Sequence, residues 1–177
     1  MQVQLHYVRH FALLASIALL LGLSAAWRAR AGIDVAFASY GALHACAVTA
    51  SLRAHADLWR RLVFVAAAAL ISVSATQVGL EVFSLVYRSD VIASQFAIAV
   101  SSLLGAFAYA LLLRSVLNFK LSVAALAWLP AICTLAALAA FLIGGLTSVG
   151  LWVATAWWLA YSGSLWFADR DGIESPQ

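Results

Sequence analysis

Six long apolar runs, separated by short charged or polar stretches, dominate the chain: Phe11 to Trp27, Ile33 to Leu52, Leu62 to Tyr87, Val91 to Leu113, Leu121 to Ile143 and Val149 to Phe167. A helix needs roughly 20 apolar residues to cross a hydrocarbon core of about 30 Å, and only helices or closed barrels satisfy their backbone polar groups there. The pattern therefore predicts an all-α, polytopic membrane helix bundle of about six transmembrane helices, with five as the fallback. The second run sets that fallback, because Asp34, Ser39, His44, Thr49 and Ser51 dilute it. With 177 residues, 66% of them hydrophobic and 10% charged, the chain has no room for a soluble domain beside the spans. It reads as one membrane-embedded domain, with residues 168–177 as a polar, frayed tail.

Orientation follows from the cations, since Lys and Arg in short loops resist translocation. With the N-terminus inside, one side collects Arg9, Arg53, Arg60, Arg61, Arg114, Lys120 and Arg170, and the other Arg28, Arg30 and Arg88. Both termini are thus expected in the cytoplasm, in an inner membrane of the bacterial type. Trp27, Trp59, Trp152 and Trp166 stand at or just beyond the run ends, where indoles settle among headgroups. The first run is expected to be retained as a helix, because Arg28 and Arg30 disfavour cleavage beside it. A net charge of +3 does not signal nucleic acid, because the cations are scattered at run ends and form no basic face. The partner implied is the lipid bilayer, together with a membrane-protein partner or a second copy of the chain.

Short loops make sequential helices antiparallel neighbours. Lipid tails are as apolar as Leu, so helices associate through close fit and small residues. Gly41 with Ala45, Ala75 with Gly79, and Ser101 with Gly105 each form a small-xxx-small pair. Cys46 and Cys133 stand alone in apolar runs with no C-x-x-C motif, which argues against thiol redox chemistry.

Polar groups inside spans carry most of the remaining information, since an ionised side chain at a helix centre costs roughly 2.5–3.5 kcal/mol. At 100° per residue, Ser74, Gln77, Glu81, Ser84 and Arg88 share roughly an 80° sector of the third run. Tyr40 and His44 lie one turn apart on the second run. Counted from the outer ends, His44 and Gln77 both fall about 15 Å deep, and Tyr40 and Glu81 about 10 Å. A seam pairing His44 with Gln77 and Tyr40 with Glu81 is therefore expected. It serves either as interhelical glue or as a substrate or proton site.

Other chemistry is poorly represented. His6, His10, His55 and Asp57 gather on the cytoplasmic side, but surface histidines beside a membrane are common and no metal site is assigned. A haem held between helices usually needs two histidines at similar depth, and only His44 is deep. There is no G-x-S-x-G elbow for a serine hydrolase and no aspartate pair for a membrane protease. No cofactor is implied. Trp128, Trp157 and Trp158 lie well inside their runs, near a helix that Pro130 interrupts. They are either packing residues, with Thr134 or Thr155 as indole partners, or the lining of a pocket for an apolar or planar ligand.

Two functional classes follow. One is a subunit or helper of a larger membrane assembly. The other is a small-solute or proton-coupled transporter, or a membrane-embedded substrate-binding subunit, using the Glu81-centred seam. In size and span count the chain resembles the substrate-binding subunits of energy-coupling-factor transporters, although no motif carries that likeness. A membrane-embedded enzyme using Glu81 and His44 as an acid-base pair ranks third.

Overall fold

The computed structural model describes residues 33–51, 57–86, 90–119, 121–144 and 149–174. They form five helices: α1 (Ile33–Ser51), α2 (Leu58–Leu85), α3 (Asp90–Val116), α4 (Val123–Gly144) and α5 (Val149–Glu174). No strand occurs among the described residues. The run from Phe11 to Trp27 lies outside them, so the structure supports five helices and leaves the count of six unsupported. By length and composition, α2, α3 and α4 can each cross a membrane. The last helix continues through Glu174, where the polar composition had predicted a frayed tail.

Local chemistry explains where the helices begin and end. Asp57 caps α2, its Oδ1 accepting from the Arg60 N–H at 2.8 Å. Asp90 in the first turn of α3 and Arg114 in its last turn both complement the helix dipole. Asn118 then adopts φ 53°, a left-handed conformation that Asn tolerates. Beyond it, the Phe119 N–H turns back to the Leu113 carbonyl at 3.1 Å. Ser122 restarts the chain by accepting from the Ala125 N–H at 3.0 Å. Pro130 sits inside α4 without ending it.

Sequential helices pack against each other from α1 through α5. The closest approaches use the small residues. A Cβ on Gly79 would lie 3.1 Å from the Ser101 Cβ, and one on Gly105 would lie 3.2 Å from the Ala75 Cβ. The Ala75/Gly79 pair therefore meshes with the Ser101/Gly105 pair in antiparallel register, letting two backbones come together where lipid offers no hydrophobic drive. Gly41 presses α1 onto the Ala68 carbonyl and the Ser72 hydroxyl of α2.

The outside of the bundle is apolar. Leu70 is 68% exposed and Ile143 90%, and Leu62, Phe96, Leu104 and Leu135 are also exposed. Large hydrophobic side chains spread over several helices like this suit a lipid environment, because water-soluble monomers rarely expose contiguous apolar area on that scale. The core is rich in Ala and aromatic rings, with Tyr40, Phe64, Tyr109 and Tyr161 buried at its centre.

Candidate functional site

His44 lies at that centre, fully buried, held by α3 and α5. Its Nδ1 is 3.2 Å from the Tyr109 hydroxyl, and its Nε2 is 2.9 Å from the Ser162 Oγ. Ser162 has one proton, and donates it to the Trp158 carbonyl at 2.8 Å, one turn back on α5. The Ser162 oxygen must therefore accept from Nε2–H, which leaves Nδ1 to accept from the Tyr109 O–H. Proton accounting fixes the Nε2–H tautomer with every bond satisfied.

Aromatic rings close around this string. The Trp158 ring lies 4.2 Å from the imidazole centroid at 31°. Tyr109 meets Phe64 edge-on at 5.4 Å and Tyr161 at 4.9 Å, in the T-shaped arrangement that ring quadrupoles favour. The Tyr161 hydroxyl and the Thr134 Oγ1 are buried without hydrogen-bond partners.

Beside the cluster, a cavity of about 460 Å³ runs between α2, α3 and α5, with Phe37 of α1 also on its wall. Tyr109, Trp157 and Trp158 separate it from His44. The Trp157 indole N–H donates to the Ser102 carbonyl at 3.2 Å, tying α5 to α3 across the wall. Hydroxyls punctuate the apolar lining. Ser72, Thr76 and Ser101 each donate to a carbonyl of their own helix. Ser94 and Ser102, each 8% exposed, line the cavity, and their hydroxyls have no hydrogen-bond partner among the described residues.

The expected polar seam is differently arranged. His44 bonds Tyr109 and Ser162 in place of Gln77. Gly41 sits against Ala68 and Ser72, which shifts α1 by two to three turns, roughly 15 Å, from the register that depth counting had suggested. On α2, Gln77 and Glu81 point nearly opposite to Ala68, Ser72, Ala75 and Gly79, which carry the helix contacts. Both are exposed, as are Ser74 and Ser84. Arg88 lies outside the described residues. Glu81 is thus on the exposed side of α2 and not beside Tyr40, which is 2% exposed in the core one turn from His44.

Of the three indoles, Trp157 and Trp158 reach the cavity, while Trp128 packs half-buried against the core. Trp157 takes a backbone carbonyl as its partner, and Thr134 provides none. Asp57 acts as a helix cap, and His6, His10 and His55 lie outside the described residues, among which no metal-binding group of His, Cys, Asp or Glu occurs. Both cysteines are free, with Cys133 buried and Cys46 exposed.

Tyr109, Ser162, Ser94 and Ser102 escaped the sequence reading. A signal existed for three of them: Ser94, Ser102 and Tyr109 follow at spacings of eight and seven residues, which keeps them on one face of a helix. Ser162 has no comparable signal, because its role depends on where α1 crosses α5. No family model matches the chain, and neither does any curated protein or solved structure.

Proposed function

We propose that the protein is a membrane-embedded binding protein for a small, largely apolar molecule, seated between α2, α3 and α5. The observation that carries this reading is a cavity of about 460 Å³ with two serine hydroxyls, Ser94 and Ser102, open to it and bonded to no described residue. Ligand sites are typically concave, mostly apolar and about 300–1,000 Å³, with a few placed polar groups. Hydroxyls that face the cavity with no partner of their own are free to bond a ligand oxygen. The site replaces the Glu81-centred seam with one built on α3, and His44 acts behind it by fixing the Tyr109 ring.

Ala154 is 8% exposed and lines the cavity on α5. Ala154→Phe should fill the space and cut the amount of co-purifying small molecule, measured by mass spectrometry of denatured extracts, at least fivefold. Ser164→Ala, away from the cavity, should leave it unchanged. Equal recovery from Ala154→Phe and the unmodified protein would remove the cavity from the functional account.

Work as a subunit of a larger assembly is a second reading, supported by α2. Only 17% of its apolar window is buried, against 44% for α3, and its polar stripe faces outward. On this reading Glu81→Gln changes stability in detergent by no more than about 0.5 kcal/mol, as exposed substitutions usually do. It also weakens retention of a co-purifying membrane protein. A large stability loss would instead place Glu81 inside the fold.

A further inference from the structure

Resting on the binding reading, we infer that the ligand is an uncharged, elongated molecule: a single hydrocarbon or isoprenoid chain bearing neutral oxygen groups. Three observations carry this.

The first is shape. The wall runs along α2 from Ile71 to Phe83 and along α3 from Ser94 to Tyr109. At 1.5 Å per residue these stretches are about 18 and 22 Å long. The slot is thus elongated, with the proportions of an extended chain.

The second is charge. Among the described residues, no Asp, Glu, Lys, Arg or His side chain is on the wall, and Glu81 projects from the far side of α2. A charged headgroup drawn into this slot would lose its hydration with no counter-ion to replace it.

The third is the hydroxyls. Ser72, Thr76 and Ser101 commit their protons to their own helices, and Tyr109 commits its proton to His44. Ser94 and Ser102 keep both proton and lone pairs, so among the described residues of this wall they alone donate as well as accept. Eight residues apart on α3, they offer two anchors about 12 Å apart along the slot. A hydroxyl or carbonyl on the chain meets either one.

The end of the slot remote from Tyr109 is bordered by Leu80 and Phe83, which are 45% and 40% exposed. A chain already dissolved in the bilayer can enter there without crossing water.

The full-length protein in nanodiscs is photolabelled with three probes carrying the same mid-chain diazirine: hexadecan-1-ol, hexadecanoate at pH 8, and a phosphatidylcholine with the labelled acyl chain. Crosslinks are mapped by peptide mass spectrometry. The alcohol should label the 71–83 and 94–109 stretches at least tenfold more than either other probe. The double variant Ser94→Ala/Ser102→Ala should lower that labelling roughly fivefold, in line with the loss of the probe's one hydrogen bond, while gel filtration shows the variant intact. Equal or stronger labelling by the carboxylate or the phospholipid overturns the inference and leaves a lipid-filled groove. Preferential alcohol labelling that ignores both serines also overturns it. Absence of labelling in the slot by all three probes defeats the binding reading itself, and this is the outcome that separates the two failures.

Discussion

His44→Ala should lower unfolding stability by about 3–5 kcal/mol, the range for deleting a large buried ring. The imidazole is fully buried, stacks on Trp158 at 4.2 Å and holds two hydrogen bonds from helices far apart in sequence. Truncation leaves a void and strands the Tyr109 hydroxyl, while Ser162 keeps its bond to the Trp158 carbonyl. His44→Leu restores much of the volume but still strands Tyr109, so its loss should be smaller, about 1–3 kcal/mol. Unfolding in mixed micelles of sodium dodecyl sulfate and dodecyl maltoside, followed by tryptophan fluorescence, measures both. Stability within 1 kcal/mol of wild type for His44→Ala would show that the imidazole is not the hub of the bundle.

Gly41→Leu is expected to abolish the folded bundle, and Gly41→Ala to destabilise it by about 2 kcal/mol or more. Any Cβ at this position runs into the Ala68 carbonyl and the Ser72 hydroxyl bonded to it, and a backbone oxygen in a helix cannot step aside. Overpacking of this kind usually costs about 1–3 kcal/mol. The loss would come despite the gain of up to about 1 kcal/mol in helix propensity from replacing Gly. Gly79→Ala provides the graded control. Its Cβ meets the Ser101 Cβ at 3.1 Å and the Ala97 carbonyl at 3.3 Å, contacts that a small helix shift relieves, so a loss of about 1 kcal/mol or less is expected. Recovery of monodisperse protein by gel filtration and the same micelle titration rank the variants. Equal tolerance at positions 41 and 79 would mean that the α1–α2 approach is looser than the geometry requires.

These two sites also mark what the sequence could and could not reveal. The helices were legible because apolar runs of membrane length leave few alternatives. The small-residue pairs were legible individually, and Ala75/Gly79 does mesh with Ser101/Gly105. Which pair meets which is a tertiary fact, set by where backbones can touch. Depth counting failed for the same reason: it assumed that helices are levelled by their ends, whereas Gly41 levels α1 by its contact with Ala68 and Ser72. His44 was identifiable as a deep polar group, but its partners lie 65 and 118 residues away. Glu81 drew attention as the only acid in its run, yet it stands exposed on the side of α2 turned away from the helix contacts. Serines contributed little to the sequence reading because several bond back to their own helix. Only the fold distinguishes Ser94 and Ser102, which do not, from Ser72 and Ser101, which do.

The string of hydrogen bonds through His44 has one sense, from the Tyr109 O–H through Nδ1 and Nε2–H to the Ser162 oxygen and on to the Trp158 carbonyl. Its last acceptor is a peptide oxygen, which cannot pass a proton onward. Relaying charge through the core would require turning the imidazole against the rings packed on it. The string at the centre of this bundle therefore ties three helices together and offers no continuous path for a proton.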